Sequence, residues 1–331
     1  MKKVCVLGDG AWGTAFSSLL ADNGHQVNLW CYDKEVAQCI EKQHRNLKFL
    51  PDIELKKSII SFTNMEEAVK DVDWVFEAVP VQFLRSVLVK LEPFVKENHI
   101  ICLLSKGMEK DTQMLPNQIA FDVLKNKIKD NQIAAVAGPN FANEIANKRL
   151  SGMTLACQNL TLLDELEKLL KNSYIVTEKI DDIIGVQVCS ALKNMYAVGL
   201  GILEGIGGDV HENTKALAFT KCTYEIEGLL AILDADEKTL RTYAGMGDLV
   251  LTCLMSKGRN REIGIKIGKG EKLEQILKTV PYVPEGPNTI AAVHQFFQKK
   301  GLVNNFSISQ ALYKILYQNG DVKVLLDAIA K

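Results

Sequence analysis

Short apolar runs alternate with amphipathic segments along the first half of the chain. The run Lys3 to Leu7 precedes an apolar-periodic segment from Ala11 to Asn23, and a second such pair follows at Gln26 to Cys31 and Lys34 to His44. Apolar runs of this length are typical of buried β-strands, and the periodic segments are typical of helices. The chain therefore begins with two successive βα units.

Further apolar runs predict more strands of the same sheet. They lie at 59–62, 74–79, 100–104, 134–137, 153–156 and 174–176. Helical patterns separate most of them, including Gln82 to Leu91 and Met114 to Ile128. Because parallel strands need crossover connections of this kind, the pattern predicts an α/β fold with a Rossmann-type, doubly wound and mostly parallel sheet.

From Ile183 onward the pattern changes to long helical segments separated by turns. The clearest are Thr214 to Leu233, Arg259 to Ile267, Lys272 to Thr279, Asn288 to Lys299 and Ser307 to Tyr317. An all-helical second domain is predicted, so the expected division is a dinucleotide-binding domain at 1–182 and a substrate-binding domain at 183–331.

The segment from Ile183 to Leu203 is long enough to span a membrane, and its only charged residue is Lys193. Polar side chains at Gln187, Ser190 and Asn194 also lie near its centre. A charged side chain alone costs roughly 3 kcal/mol at the centre of a bilayer. A buried helix of a soluble protein is the better interpretation, and we expect no membrane insertion.

Composition narrows the choice of partner. The 331 residues carry a net charge of −1, which gives no overall field to attract nucleic acid or an anionic membrane. The eight cysteines form no CxxC pair, and the apolar stretch before Gly8 is too short for an export signal. We therefore expect a cytoplasmic protein with reduced thiols, no metal site and a small-molecule partner.

A glycine motif follows the first strand directly. In Gly8-Asp9-Gly10-Ala11-Trp12-Gly13, Gly8 permits the tight turn, Gly10 lets the backbone approach a pyrophosphate, and Gly13 lets helix and strand pack closely. The N–H groups at the helix start then face the anion. A glycine-rich turn without a ligand is the alternative, but the order strand, loop, helix favours a dinucleotide site.

Other turns follow the carboxyl ends of predicted strands, where ligands of open α/β sheets bind. They are Tyr32-Asp33, the segment from Val79 to Phe83, Ser105-Lys106-Gly107 and the segment from Gly138 to Ala142. Each alone is compatible with an ordinary turn. Together they are expected to line one edge of the sheet.

Lys106 is the first basic residue at that edge, suited to an anionic substrate or a reacting oxygen, although a solvated loop lysine is the alternative. Lys193 is the stronger candidate for chemistry, because an isolated lysine in an apolar helix must either reach solvent at the helix edge or serve a function. Burial and a neighbouring cation would lower its pKa towards neutrality. Asp248, on a glycine turn, could orient it.

The segment Ser256 to Arg261 places Arg259, Arg261 and Asn260 at a predicted helix start. The planar guanidinium and the helix N-terminus both suit a phosphate, whereas a charged surface turn is the alternative. Combined with the dinucleotide loop and the isolated lysine, the segment predicts hydride transfer on a small phosphorylated molecule.

Several motifs together carry a resemblance to a known family. They are Gly8-Asp9-Gly10-Ala11-Trp12-Gly13-Thr14-Ala15, Phe49-Leu50-Pro51, Ser105-Lys106-Gly107, Gly138-Pro139-Asn140-Phe141-Ala142, Ala191-Leu192-Lys193-Asn194, Asn213-Thr214-Lys215-Ala216, Gly247-Asp248-Leu249, Gly258-Arg259-Asn260-Arg261 and Glu285-Gly286. In this order, along nearly the whole chain, they resemble the glycerol-3-phosphate dehydrogenases. The resemblance implies reversible reduction of dihydroxyacetone phosphate to sn-glycerol 3-phosphate with NAD or NADP, feeding glycerolipid synthesis, in a homodimer.

The resemblance also implies roles for individual residues. Lys193 becomes the proton donor and acceptor, with Lys106 beside the reacting oxygen and Asp248 completing the catalytic group. The implied substrate contacts are Lys106, Gly138, Asn140, Asn194, Asp248, Thr252, Gly258, Arg259 and Asn260, of which Arg259 and Asn260 hold the phosphate. The implied cofactor contacts are Gly8, Gly10, Ala11, Trp12, Gly13, Tyr32, Phe83, Lys106, Ala142, Arg259, Val283 and Glu285.

Two positions depart from the bacterial pattern of the family. Tyr32 stands where many bacterial members carry a basic residue that suits the extra phosphate of NADP, which favours NAD slightly, and Gly258 replaces a common serine. Two other functions stay open: another two-domain hydroxy-acid dehydrogenase of the ketopantoate or 6-phosphogluconate type, and a redox sensor that binds the dinucleotide without chemistry.

Overall fold

The computed structural model describes residues 1–208, 210–255, 258–280 and 282–331. Its strands are β1 Lys3–Leu7, β2 Gln26–Trp30, β3 Arg45–Asn46, β4 Leu50–Glu54, β5 Ile59–Phe62, β6 Trp74–Glu77, β7 Ile100–Leu103, β8 Ile133–Ala137, β9 Ser151–Ala156 and β10 Ile175–Ile180. The predicted strands of the first half are therefore present, with a short additional pair at β3 and β4.

Helices connect the strands and make up the second half. They are α1 Ala11–Asp22, α2 Lys34–Gln43, α3 Met65–Ala68, α4 Val81–Leu91, α5 Pro116–Leu124, α6 Ala142–Ala146, α7 Leu160–Leu170, α8 Ile183–Ile206, α9 Glu212–Ile232, α10 Asp248–Leu254, α11 Arg259–Gly268, α12 Leu273–Leu277, α13 Glu285–Lys300, α14 Ser307–Tyr317 and α15 Lys323–Ala330. A π-helical turn, Tyr243–Gly247, leads directly into α10.

Eight strands form one sheet in the order β10-β9-β8-β7-β6-β1-β2-β5. All neighbours are parallel except β8 and β9, which are antiparallel. The carboxyl ends of β1, β2, β6, β7 and β8 consequently lie at one edge of the sheet. The prediction of a Rossmann-type, mostly parallel sheet followed by a helical domain is confirmed.

The central strands are buried on both faces, as expected for parallel strands between two helical layers. Val4 and Cys5 on β1, and Trp74 and Val75 on β6, lie on opposite faces of the sheet and have no solvent exposure. This burial explains why these strands appear in the sequence as continuous apolar runs rather than as alternating ones.

The chain divides into two compact units. The first comprises Met1–Ser105 and Pro116–Ile183, and the second comprises Lys106–Leu115 and Ile184–Lys331. The structure differs from the predicted division at Lys106–Leu115, because Met108 and Leu115 belong to the hydrophobic core of the helical unit. Lys106, expected at the sheet edge, is thus part of the second unit by its packing.

The long apolar helix α8 is the core element of the second unit. Among the described residues it is the one helix long and apolar enough to cross a membrane, with a mean hydropathy of 1.3, and 94% of that stretch is buried inside the protein. Such burial is what the core helix of a helical bundle shows.

Candidate functional site

The glycine motif forms a tight turn between β1 and α1. Gly8 has a φ of 120°, and a Cβ there would lie 2.8 Å from the carbonyl oxygen of Ala78. A Cβ on Gly13 would lie 2.0 Å from the carbonyl oxygen of Gly8, whereas one on Gly10 would meet nothing within 4 Å. Close packing therefore requires glycine at positions 8 and 13, whereas Gly10 leaves open space beside the backbone.

The N-terminus of α1 is suited to an anion. Its N-cap, Gly10, makes no side-chain capping hydrogen bond, and the first turn contains no acidic residue. The first N–H groups of a helix have no partner within the helix, so those of Ala11 and Trp12 are available to an anionic group. The ring nitrogen of Trp12 is buried and also without a hydrogen-bond partner.

Side chains from neighbouring segments fix the glycine loop. The Asn46 amide donates to the carbonyl oxygen of Asp9 and to Thr14 Oγ1, both at 2.8 Å. The Asp9 carboxylate accepts the N–H of Asp33 at 3.0 Å, which ties the loop to the end of β2. Burial is the main cause that raises the pKa of Asp9.

Tyr32 lies just beyond β2, at the position predicted to distinguish the two cofactors. Its side chain is 76% exposed, and the Lys90 ammonium lies 5.7 Å from its ring centroid. The next residue, Asp33, caps α2 and pairs with Lys48 at 2.7 Å. Both an exposed aromatic ring and a nearby cation are therefore present here.

In the second unit, two lysines share one buried carboxylate. Lys193 donates to Asp248 Oδ1 at 2.5 Å and Lys106 donates to Asp248 Oδ2 at 2.8 Å. Lys193 also donates to Thr252 Oγ1 at 3.0 Å. Asp248 is 1% exposed and Lys193 is 6% exposed, so the cluster carries an excess positive charge in a dry environment.

The charges in this cluster shift one another's protonation. Burial lowers the pKa of Lys193, Asp248 opposes the shift and the Lys106 charge adds to it, so that the net pKa is about 8. Burial raises the pKa of Asp248, but the two ammonium groups outweigh it and the net pKa is lowered. At neutral pH the cluster therefore holds an ionised carboxylate and a lysine able to exchange its proton.

Local structure explains how Asp248 reaches this position. The π-helical turn that precedes α10 is fixed by Thr242, whose Oγ1 accepts the N–H of Gly245 at 3.1 Å. A Cβ on Gly245 would lie 2.3 Å from the carbonyl oxygen of Leu240. Single π-turns of this kind occur often at functional sites because they redirect the residues that follow.

The segment that carries Lys106 is anchored by polar and apolar contacts within the second unit. Gln113 donates to Gln295 at 3.0 Å and accepts a hydrogen bond from Lys299. Met108 and Leu115 are 2% and 1% exposed, respectively. These contacts restrain the lysine that faces Asp248.

Two pairs of glycines bring α8 and α11 into backbone contact. A Cβ on Gly201 would lie 2.1 Å from the carbonyl oxygen of Arg261, and one on Gly264 would lie 2.1 Å from that of Val198. Gly205 and Gly268 make equally close approaches one turn further along. The start of α11 is thus held at a fixed position relative to Lys193 on α8.

The start of α11 carries the predicted phosphate-binding residues. Asn260 donates to Asn194 Oδ1 at 3.0 Å and accepts the N–H of Gly286 at 3.0 Å. The guanidinium of Arg259 lies 5.0 Å from the ring centroid of Tyr282. Ser256 and Lys257, which the sequence analysis grouped with this segment, lie outside the described residues.

The remaining predicted contacts lie in both units. Asn140 donates to the carbonyl oxygen of Gly152 at 2.9 Å, and a Cβ on Gly138 would lie 2.3 Å from the same atom. The other positions lie at element termini or on exposed faces: Ala142 begins α6, Phe83 is half-exposed on α4, Gly258 is the N-cap of α11, Glu285 begins α13 and Val283 precedes it. Their contacts with substrate or cofactor stay predictions.

Two buried acids were missed by the sequence analysis. Glu77 ends β6 with no exposure, and Glu225 on α9 accepts hydrogen bonds from Tyr196 and Ser309. Glu77 follows an apolar run, and the argument made for the isolated Lys193 would have selected it. In the part of the chain that the structure describes, no cluster of histidine, cysteine and acidic residues could hold a metal ion.

Comparison with known proteins shows the family of the chain. The family models for the N-terminus and the C-terminus of NAD-dependent glycerol-3-phosphate dehydrogenase match residues 3–163 and 182–327. A glycerol-3-phosphate dehydrogenase (NAD(P)+) of Bacillus velezensis is 34% identical over 330 residues, which cover 99% of this chain and 94% of the relative.

A solved structure of a glycerol-3-phosphate dehydrogenase has the same fold as this chain. A crystal structure of glycerol-3-phosphate dehydrogenase from Coxiella burnetii superposes with a TM-score of 0.91 at 26% identity, covering 99% of this chain and 98% of that one. A ketopantoate reductase from Ralstonia eutropha JMP134 superposes with a TM-score of only 0.57 at 13% identity, a likeness of fold alone.

Proposed function

The chain belongs to the NAD-dependent glycerol-3-phosphate dehydrogenase family, and from this premise we propose that it reduces dihydroxyacetone phosphate reversibly to sn-glycerol 3-phosphate. The observation that carries the proposal is the buried cluster of Lys193, Asp248 and Lys106. Reduction of a ketone needs a proton at the oxygen that becomes the hydroxyl, and this cluster holds one at a buried ammonium group.

Lys193 is the proposed general acid. As negative charge develops on the carbonyl oxygen, its ammonium can transfer a proton to that oxygen, and in the reverse direction the neutral amine takes the proton back. The lowered pKa of about 8 leaves Lys193 mostly protonated at neutral pH while keeping the neutral form accessible. Asp248 orients the amine, and Lys106 offers a second positive charge to the same oxygen.

The glycine loop fits a dinucleotide. The open space beside Gly10 lets a pyrophosphate approach the protein backbone, and the uncapped start of α1 offers it N–H donors. When bound, NADH or NADPH supplies the hydride for the reaction.

Arg259 and Asn260 are the proposed phosphate ligands. The helix start contributes N–H groups, and the guanidinium can bind two phosphate oxygens at once. The Asn194 amide, which pairs with Asn260, is proposed to orient the substrate between the phosphate and Lys193. This arrangement selects a small substrate with a phosphate at one end.

We further propose that NADH is preferred over NADPH. Tyr32 carries no charge, and the carboxylates of Asp9 and Asp33 would repel a 2′-phosphate. Lys48 already pairs with Asp33, which leaves the Lys90 ammonium beside the Tyr32 ring as a cation available to such a phosphate. The ratio of kcat/KM for the two cofactors tests the preference, and Lys90→Ala should lower turnover with NADPH while leaving turnover with NADH unchanged.

The function is tested by following NADH oxidation with dihydroxyacetone phosphate, ketopantoate and other oxo acids in parallel. We expect turnover only with dihydroxyacetone phosphate, and its absence would overturn the proposal. Lys193→Ala should lower kcat by roughly 10²–10⁴-fold with dinucleotide affinity preserved. The exposed Lys314→Ala on α14 is the matched control. NADH binding without turnover of any oxo substrate by the wild-type protein would favour a non-catalytic dinucleotide sensor. Unchanged turnover in Lys193→Ala would mean that Lys193 is not the general acid.

Cytoplasmic location, a homodimer and supply of glycerol 3-phosphate for glycerolipid synthesis complete the proposal. The family relationship supports these points. Light scattering of the purified protein tests the dimer, and depletion of the protein in its host, with measurement of the glycerolipid content, tests the metabolic role.

A further inference from the structure

Glu77 is a buried acid in the middle of the parallel sheet. It is the last residue of β6, with no solvent exposure, and it pairs in register with Leu7 of β1 on one side and Leu103 of β7 on the other. Leu7 is the residue before Gly8, so Glu77 lies on the strand adjacent to the start of the glycine loop. Neighbouring strands are about 4.8 Å apart.

The carboxyl group is only partly satisfied by hydrogen bonds. Oε1 accepts the N–H of Val79 at 2.7 Å, whereas Oε2 is buried without a partner. The Ser105 hydroxyl, two residues beyond β7, is a nearby donor. Burial raises the pKa of Glu77 to about 7, and nearby donors of Val79 and Ser105 only partly oppose the shift.

The turn held by Glu77 touches the glycine loop directly. A Cβ on Gly8 would lie 2.8 Å from the Ala78 carbonyl oxygen and 3.1 Å from Val79 Cγ1. Gly13 approaches the Ala78 side chain as well, with a Cβ placed there lying 3.4 Å away. The hydrogen bond from Val79 to Glu77 therefore fixes the segment against which the phosphate-binding turn is packed.

We propose that Glu77 is a positioning residue for the dinucleotide: its carboxyl accepts the Val79 N–H and holds the Ala78–Val79 turn against the glycine loop, and its ionisation adds a negative charge there that weakens dinucleotide binding. The proposal rests on the proposed function, since it needs a dinucleotide at that loop. Ionisation leaves a negative charge on a poorly solvated group beside a site for an anionic diphosphate, and like charges repel strongly in such an environment.

The other titratable groups near Glu77 do not account for a transition near neutrality. β7 contributes the Cys102 thiol, whose pKa burial raises well above its ordinary value, with Glu77 adding to the effect. β1 contributes Cys5, whose pKa is likewise raised by burial. Both thiols stay protonated there. Of the two acids beside the glycine loop, Asp33 has a pKa that its hydrogen bond with Lys48 lowers, whereas burial raises the pKa of Asp9, which is controlled separately below.

The test is the dissociation constant of NADH, followed by fluorescence from about pH 5.5 to about pH 9 for the wild-type protein and for Glu77→Gln. We expect wild-type binding to weaken roughly tenfold, about 1.4 kcal/mol, as the pH rises through about 7. Glu77→Gln should bind NADH with nearly constant affinity. Asp9→Asn and the exposed Glu66→Gln should both retain the wild-type transition.

Each result decides the proposal. A flat wild-type profile, or a transition retained in Glu77→Gln or lost in Asp9→Asn, overturns it while leaving the proposed function intact. Failure of the wild-type protein to bind NADH at any pH overturns the proposed function itself. If Glu77→Gln does not fold, infrared spectroscopy of the wild-type protein decides: a protonated carboxyl band must disappear with the same midpoint as the change in affinity, and its absence at about pH 6 overturns the proposal.

Discussion

Substitution of Lys106 by methionine should shift the midpoints of the pH–rate profiles of the enzyme to higher pH. Lys106 and Lys193 donate to different oxygens of Asp248, at 2.8 Å and 2.5 Å, so their positive charges oppose each other. Lys106→Met removes one charge and leaves Lys193 buried beside the carboxylate. The pKa of Lys193 must then rise, because the Lys106 charge that disfavoured its ammonium form is gone while its burial is unchanged.

The magnitude follows from the geometry. Two ammonium groups on opposite oxygens of one carboxylate lie roughly 5 Å apart, which gives about 1 kcal/mol of repulsion in water and about 3 kcal/mol at an effective dielectric constant of about 20. That repulsion is equivalent to about one to two pKa units. The pKa of Lys193, lowered to about 8 in the wild-type protein, should therefore rise to roughly 9 or above.

The assay is kcat/KM as a function of pH in both directions. Reduction needs the ammonium form, so its rate should fall as pH rises through about 8 in the wild-type enzyme. Oxidation needs the neutral amine and should rise through the same pH. Both midpoints should shift upwards together in Lys106→Met, even though the rates themselves fall, and Lys314→Ala should leave them in place.

Two results would refute the reasoning. Midpoints that stay fixed or move downwards in Lys106→Met would mean that Lys106 does not influence the titrating group. Midpoints that move in opposite directions for reduction and oxidation would mean that Lys193 is not the common acid and base.

Other substitutions test the rest of the structure. Asp248→Asn should shift the midpoints downwards, because the carboxylate raises the pKa of Lys193, and should lower the free energy of unfolding by about 3–5 kcal/mol in denaturant titrations. Glu77→Gln should match wild-type stability near about pH 4 and exceed it by about 3 kcal/mol at about pH 9, because the folded-state pKa of about 7 lies above the ordinary 4.5 and wild-type stability falls as pH rises between them. Equal stability at both pH values would contradict this. Gly264→Ala should lower the melting temperature sharply because its Cβ would meet a carbonyl of α8 at 2.1 Å, whereas Gly228→Ala, 3.4 Å from a ring atom, should change stability by no more than about 1 kcal/mol.

The sequence predicts the first unit well because its strands are buried on both faces and so appear as uninterrupted apolar runs. Strand direction is not encoded in such runs, and the antiparallel pairing of β8 with β9 appears only in the structure. The pair formed by β3 and β4 was also not predicted. Pro51, Asp52 and Glu54 of β4 are exposed, so the strand lacks a continuous apolar signal.

Some features of the candidate site could be predicted from the sequence, and others could not, for a physical reason. Lys193 stands out because a charge in an apolar helix is costly, and Asp248 stands out on its glycine turn. Two apolar residues, Met108 and Leu115, are too few to reveal that the segment carrying Lys106 packs with the helical unit. The shared carboxylate, and the resulting shift of the pKa of Lys193, depend on distances that no local pattern contains.

The glycine contact between α8 and α11 has a consequence for substrate choice. In the proposed function, the proton-transferring amine is on one helix and the phosphate ligands are at the start of the other, so the contact would fix the distance between the two ends of the substrate. Backbone atoms in contact cannot be compressed, and no flexible side chains separate the helices at Gly201 and Gly264. A substrate longer by one carbon would have to be accommodated by Arg259 or by Lys193 alone, so the enzyme should discriminate chain length more strictly than it discriminates substituents on the carbon chain.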